Sequence, residues 1–202
     1  MPDSLKKGIG TKYLLPIVGA YMAGAAALGF DPATLPQSLL QPLGVAGLAG
    51  VLMLVFQELI PRSVKEVVVF WRLRERVPGY RAFSRIARRD SRIDPTELAV
   101  LLPDRPLAPA EQNALWYRWL KSVEQDPAIA DNHHRFLALR DCAALLFLLT
   151  IVSLGGGVVL DFYRGLTLAG VCFGSYLLVT VAARNAAARL VGNVIARKVA
   201  TS

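Results

Sequence analysis

The residues with the clearest chemical potential are eight arginines within the twenty-one residues Arg72–Arg92, RLRERVPGYRAFSRIARRDSR. Only Glu75 and Asp90 oppose them there, and none of the basic residues is lysine. A guanidinium group binds two phosphate oxygens at once and stacks on aromatic rings, unlike the ammonium group of lysine. This stretch, called the arginine segment below, is therefore a candidate site for a phosphate-bearing ligand.

Two other interpretations of the arginine segment remain open. Arginine outnumbers lysine throughout the chain, so its abundance here is also explained by a GC-rich genome. A basic cluster beside a membrane also attracts anionic lipid, with about 1 kcal/mol per charge near the surface. Aromatic residues nearby favour the phosphate-ligand interpretation instead, in the form of single-stranded nucleic acid bound through charge and stacking. They are Trp71, Tyr80, Phe83, Trp116, Tyr117 and Trp119.

No residue pattern predicts catalysis or metal binding. The two histidines, His133 and His134, are adjacent and point about 100° apart on a helix, whereas a helical metal pair needs a spacing of four residues. Cys142 and Cys172 lie in apolar runs, as buried, unreactive thiols do. Sequence motifs for phosphate loops and nucleophile turns are missing. The sequence therefore predicts no enzyme and no cofactor or metal.

Three polar residues lie near the ends of apolar runs. Gln57 and Glu58 close one run, and Asp141 opens another. Ionisable groups at membrane depth are functional candidates, and a ring of carboxylates at a pore mouth favours cations. The alternative is a local role, in which Glu58 pairs with Arg62 and Asp141 faces lipid headgroups or Arg140. Both interpretations remain open for this predicted pore mouth.

The elements that position these residues are predicted to be membrane helices. The chain has 202 residues, 54% of them hydrophobic, with a mean hydropathy of +0.42 and a net charge of +8. A helix needs about 20 apolar residues to cross a bilayer, and four runs in the chain approach this length. They are Tyr13–Phe30, Leu43–Ile60, Cys142–Leu160 and Leu166–Ala183. The prediction is an all-α membrane protein with four transmembrane helices and a helical cytosolic insert between the second and third.

The basic residues predict the orientation of these spans. Fourteen Lys and Arg residues lie within residues 62–139, between the second and third spans, whereas the other two connections contain one. Basic residues remain preferentially in the cytoplasm. We therefore predict a transmembrane hairpin at residues 1–61, a cytosolic insert at 62–139, a second hairpin at 140–183 and a basic cytosolic helix at 184–202. Both termini then lie in the cytoplasm.

Helix start and stop signals organise the insert. The second span is predicted to extend through RSVKEVVVFWRLRERV until Pro78–Gly79 ends it. Asp94 and Asp126, each followed by proline, are typical of helix N-caps, and Pro109 starts a further helix. The helix after Asp126 has no breaker before the third span, so it is expected to run continuously into the membrane. Gly170 and Gly174 have the GxxxG spacing that brings membrane helices together, either within one chain or between copies.

The insert motifs VPGYRAFS, DSRIDPTEL, EQNALWYRWL and HRFLALRD, in this order, resemble those of the membrane effectors of Hailong-type bacterial anti-phage defence systems. The resemblance covers roughly Arg74–Asp141 and the four-span layout. It implies a homotetrameric ion channel in the bacterial inner membrane. It also implies a partner nucleotidyltransferase, whose short DNA oligomers hold the channel closed until phage infection removes them.

The resemblance also implies residues for ligand binding. Candidate phosphate contacts are Arg74, Arg76, Arg81, Arg85, Arg88, Arg89 and Arg92, and the candidate stacking residues are Trp116 and Tyr117. The expected function is an oligomeric, ligand-gated ion channel that binds an anionic nucleotide or short DNA oligomer on its cytosolic helices. The alternative is a membrane scaffold or adaptor whose basic insert binds anionic lipid or a soluble partner.

Overall fold

The predicted helix starts coincide with helices in the structure. The structure, a computed structural model, describes residues 9–29, 59–159 and 161–201. Asp94 caps a helix, because its Oδ1 accepts a hydrogen bond of 2.7 Å from the backbone N–H of Thr96. Asp126 does the same, at 2.9 Å, for the N–H of Ala128. Both aspartates thus satisfy N–H groups that a helix start leaves without an intrahelical partner.

The described ranges contain helices and turns, with no strand among them. The α-helices are α1 (Ile9–Ala27), α2 (Arg62–Phe70), α3 (Pro95–Leu101), α4 (Pro109–Ser122), α5 (Pro127–Val159) and α6 (Phe162–Val199). The arginine segment forms a 3₁₀ turn at Pro78–Arg81, a π-helical turn at Ala82–Ile86 and a second 3₁₀ turn at Ala87–Arg89. The all-helical prediction is therefore confirmed over these ranges.

Two helices, α5 and α6, are long and apolar enough to cross a membrane. They have 33 and 38 residues, and their most apolar windows have mean hydropathies of 2.0 and 1.9. The third and fourth predicted spans lie in these helices, and α5 runs without a break from Pro127, as expected. The first predicted span largely coincides with the shorter helix α1. The second lies outside the described residues except for Leu59 and Ile60.

The predicted extension of the second span to Val77 is wrong. Helix α2 ends at Phe70, and Trp71 adopts a φ of 52°. A residue in the left-handed region directly after the last helical turn is a common way for a helix to end. The Pro78–Gly79 break instead begins a separate turn.

The described residues divide into two units. One, called the apolar unit, takes in Met1–Val68 and Ala138–Thr180. Its core contains Leu14, Cys142, Ala144 and Leu145, packed against further aliphatic residues of α1, α5 and α6. Burial of both cysteines agrees with the prediction of inert thiols.

A glycine pair brings α5 and α6 into backbone contact within the apolar unit. A Cβ atom on Gly157 would lie 2.8 Å from the Cα of Gly165, and one on Gly165 would collide with Gly157. Gly155 and Gly156, in the same triplet, have nothing within 4 Å of their Cβ positions. Gly157 therefore serves close helix packing, and α5 stays helical through the triplet to Val159.

The second unit, called the arginine unit, takes in Val69–Leu137 and Val181–Ser202. It contains α3, α4, the first part of α5 and the last part of α6. Phe70 and Phe136 pack with ring centroids 6.3 Å apart, and Arg197 forms an ion pair of 2.9 Å with Asp126. The unit thus positions the arginine segment on a helical scaffold.

Candidate functional site

The arginine segment is packed directly against α4. Gly79 is buried there, and a Cβ atom at this position would collide with Asn113 Oδ1 and come within 3.0 Å of Trp116 Cε3. Four residues later, the Phe83 ring packs edge-on against Trp119 with centroids 5.0 Å apart. The segment is therefore held in place by packing on both sides of its first turn.

Gln112 fixes the backbone of the π-helical turn. Its Oε1 accepts hydrogen bonds from the N–H groups of Phe83 and Ser84, at 3.2 and 3.0 Å, and its Nε2 donates to the carbonyl of Leu107 at 3.1 Å. Gln112 itself is only 5% exposed. A π turn needs such outside partners because its widened ring shifts the normal helical hydrogen bonds, and such turns recur at functional sites.

Two of the seven predicted phosphate contacts already have partners in the structure. Arg92 donates hydrogen bonds to Asp90 from Nε at 2.9 Å and from Nη2 at 2.7 Å. This bond raises the pKa of Arg92 and lowers that of Asp90. The Nε of Arg76 donates to the carbonyl of Leu73 at 3.1 Å. The fork of Arg92 is therefore engaged by a carboxylate, and a phosphate would have to displace Asp90 to use it.

Four other predicted contacts are exposed and form no hydrogen bond or ion pair with the described part of the chain: Arg74, Arg85, Arg88 and Arg89. The same holds for Arg72, which the motif comparison did not include. Arg85, Arg88 and Arg89 follow Arg81 by four, seven and eight residues. Arg85 lies in the π-helical turn, and Arg88 and Arg89 lie in the second 3₁₀ turn.

Arg81 is the most unusual of these residues because part of its guanidinium is buried. Its Nη1 is inaccessible to solvent and has no hydrogen-bond partner among the described residues. Burial, followed by the neighbouring charges of Arg72 and Arg85, lowers the pKa of Arg81, and Glu75 opposes this only weakly. Arg72 and Arg85 therefore lie near enough to Arg81 for their charges to affect its pKa, and the three residues are called the arginine triad below.

The triad has the properties of an anion site. An unpaired buried donor costs about 1–3 kcal/mol, and more when it is charged. An anion bound among the three guanidinium groups would accept a hydrogen bond from the buried donor of Arg81. It would also reduce the repulsion between the three positive charges. Phosphate suits the geometry, because its oxygens accept forked hydrogen bonds from arginine.

The two predicted stacking residues have different surroundings. Trp116 is 8% exposed, packs near Gly79 and has a buried Nε1 without a hydrogen-bond partner in the described ranges. Its ring therefore serves packing, and no face of it is offered to a ligand. Tyr117 is 43% exposed, and the Nζ of Lys121 lies 5.9 Å from its ring centroid. Tyr117 thus keeps an accessible ring.

Of the predicted pore-mouth residues, only Asp141 lies within the described residues; Gln57 and Glu58 fall outside them. Asp141 Oδ1 is 2.9 Å from Arg140 Nη2 and 3.5 Å from Lys65 Nζ. Both cations are buried, at 8% and 5% exposure. The carboxylate is therefore neutralised within the apolar unit, as the local-pairing alternative expected.

No group of three His, Cys, Asp or Glu side chains in residues 9–29, 59–159 and 161–201 is arranged to hold a metal ion. His133 and His134 are both half-buried on α5. Within these ranges, the arginine segment remains the feature best suited to binding.

A second ion pair makes the start of α4 sensitive to acid. Arg105 donates two hydrogen bonds to Glu111, at 2.9 and 2.6 Å. These, then the bond from the N–H of Ala108, lower the pKa of Glu111 from 4.5 to about 2. The pKa of Glu111 is therefore lower in the folded protein than in the unfolded chain. The ion pair stabilises α4 fully at pH values above the unfolded pKa of 4.5, and this stabilisation is lost as the pH falls towards 2.

We expect amide protection at the N-terminal turn of α4 to decrease between about pH 5 and about pH 3, measured as hydrogen-exchange protection factors. A Glu111→Gln variant should show lower protection that does not change over this range. Equal protection of the wild-type helix at both pH values would contradict the role given to this pair.

Sequence reasoning missed two residues of the site. Gln112 lies in the motif EQNALWYRWL, and the only signal for its role was a polar residue on the buried side of a helix. Arg72 precedes the motif-like part of the segment, so the resemblance passed over it although its residue type is the same. Both are identified by contacts that depend on the turn geometry.

No protein-family model matches the chain, and neither curated proteins nor solved structures give a significant match.

Proposed function

We propose that the chain is a membrane protein whose arginine unit lies in the cytoplasm and binds an anionic nucleotide or short DNA oligomer. The ligand would gate ion flow through an oligomer, holding it closed. The observation that supports ligand binding is the arginine triad, with the buried, unpaired Nη1 of Arg81. Gating further requires that the ligand bind one state of the oligomer better than the other.

The membrane part of the proposal rests on the two long apolar helices and on the distribution of basic residues. In the proposed topology α1, a second span within 43–60, α5 and α6 cross the bacterial inner membrane. Both termini are cytoplasmic, as the positive-inside rule favours. A defence role, with an oligomer supplied by a nucleotidyltransferase, comes from the resemblance of the insert motifs.

Oligomerisation is supported by the outer face of α6. Gly170 and Gly174 are exposed, no atom of the described residues lies within 4 Å of their Cβ positions, and Val171 and Leu178 are 64% and 76% exposed. In lipid, small residues on an open face let a second helix approach closely. Four spans from one chain leave no room for an aqueous path, so a channel needs several copies. The tetramer follows from the resemblance.

The alternative function is a membrane scaffold or adaptor that binds anionic lipid through the insert. Arg88 and Arg89, exposed and without an ion-pair partner among the described residues, fit it, since lipid binding needs only accessible charge. The triad favours a defined phosphate ligand, because its turn is packed against α4 and one donor is buried.

The test uses the purified full-length protein in detergent or neutral-lipid nanodiscs with a fluorescein-labelled DNA oligomer. On single strands, the logarithm of the binding constant falls with the logarithm of the salt concentration with a slope of about −0.7 per phosphate contact. If three arginines each neutralise one phosphate, a fourfold increase in salt concentration should therefore weaken binding by about 20-fold. In neutral-lipid liposomes, the protein alone should pass ions, and the oligomer should reduce this flux. Binding to anionic vesicles with neither oligomer binding nor ion flux would favour the scaffold function instead.

A further inference from the structure

Trp71, which directly precedes the arginine segment, has a strained backbone. Its φ of 52° lies in the left-handed region, which a bulky aromatic residue rarely adopts. Glu75, with a φ of 47°, is the other non-glycine residue of this kind in the described ranges. Such strain costs of order 1–3 kcal/mol and persists where surrounding contacts impose it, often at binding sites.

Arg184 on α6 contacts this end of α2. Its Nε donates a hydrogen bond of 2.7 Å to the carbonyl of Val69, in the last turn of α2. Its guanidinium carbon lies 3.9 Å from the centroid of the Trp71 ring. One side chain therefore both caps α2 and supports the indole by a cation–π contact, all within the arginine unit.

This supported indole is not part of a core. Trp71 is 56% exposed, whereas Trp116 and Trp119 are 8% and 7% exposed. Burial of the ring therefore cannot be what offsets the strain at Trp71. The next residue is Arg72, a member of the arginine triad, so the indole and the triad adjoin along the chain.

We propose that Trp71 stacks against a nucleobase of the ligand whose phosphate is bound by Arg72, Arg81 and Arg85. This inference rests on the proposed function and narrows its ligand to one with an accessible base, such as a nucleotide or a single strand. Every base has a π face, so stacking tolerates different sequences, whereas the bases of a duplex are already stacked on one another. The guanidinium of Arg184 completes the stack behind the indole.

The experiment compares two DNA oligomers of equal length and phosphate count, one normal and one abasic, on the full-length protein. Wild-type protein should bind the normal oligomer about 5- to 150-fold more tightly, the range for stacking of one base. Trp71→Ala should lose this preference while keeping its affinity for the abasic oligomer and its salt dependence. Trp71→Phe should keep part of the preference, and Val100→Ala, at an exposed apolar side chain of α3 outside the site, should keep all of it.

Each of the other outcomes would contradict either the stacking role of Trp71 or the proposed function. Equal wild-type affinity for both oligomers overturns the stacking role and leaves phosphate binding intact, without relying on any variant. Loss of abasic-oligomer binding in Trp71→Ala also overturns it, because Trp71 would then shape the triad and not contact a base. If the wild-type protein binds neither oligomer but binds anionic vesicles, both the stacking inference and the proposed function are wrong.

Discussion

A Gly157→Ala substitution is expected to lower the melting temperature of the protein. Alanine normally stabilises a helix interior relative to glycine by about 1 kcal/mol. At this position, however, the new Cβ would lie 2.8 Å from Gly165 Cα and 3.3 Å from its carbonyl carbon. Backbone atoms cannot rotate away, so α5 and α6 must separate, and overpacking of this kind costs about 1–3 kcal/mol or more. Thermal unfolding followed by circular dichroism in detergent measures the change.

The matched control lies two residues away in the same helix. Gly155→Ala meets nothing within 4 Å, so only the gain in helix propensity should act, and its melting temperature should equal or exceed that of the wild type. If Gly157→Ala and Gly155→Ala melt at the same temperature, the proposed backbone contact does not limit this hairpin.

Reversing two charges of the triad, as Arg81→Glu/Arg85→Glu, is expected to weaken binding of the DNA oligomer by at least about 100-fold. Each lost charged hydrogen bond contributes about 1.5–3 kcal/mol, and the new carboxylates repel phosphate. The salt dependence should also become shallower, since fewer phosphates are neutralised. Fluorescence anisotropy over a salt series measures both quantities.

The control for this variant is Arg118→Glu/Arg135→Glu, which changes the net charge equally at two exposed arginines outside the triad. It should bind within a few-fold of the wild type. The single Arg85→Glu variant guards against misfolding, because Arg85 is exposed, and about tenfold weaker binding is expected. Equal losses in the triad variant and in its control would show that only overall charge matters.

Most of the described helices were predictable because their signals are local. Asp94 and Asp126 mark helix starts through side-chain bonds to residues two positions later, and apolar runs predict α5 and α6 directly. The end of α2 was not predictable in this way. Trp71 adopts a left-handed backbone conformation and contacts Arg184, more than a hundred residues away in sequence, so no local pattern indicates this arrangement.

For the site, likewise, residue types could be predicted from the sequence but contacts between residues could not. Composition identified the arginine segment, but it could not separate Arg92, engaged by Asp90, from Arg81, whose Nη1 is unpaired. It also could not rank the tryptophans. Trp116 is buried by the approach of Gly79, whereas Trp71 remains exposed because α2 ends before it. These differences arise from tertiary packing of the turns on α4 and of α6 on α2.

The pair formed by Arg140 and Asp141 has a consequence for biosynthesis. Both residues belong to α5, and Asp141 Oδ1 accepts a hydrogen bond of 3.0 Å from Arg140 Nε and lies 2.9 Å from its Nη2. Because they are adjacent in sequence, this pair can form as soon as α5 is helical, before any other helix is present. The helix can therefore form with its own counterion, and Lys65 need join only when α2 packs against it.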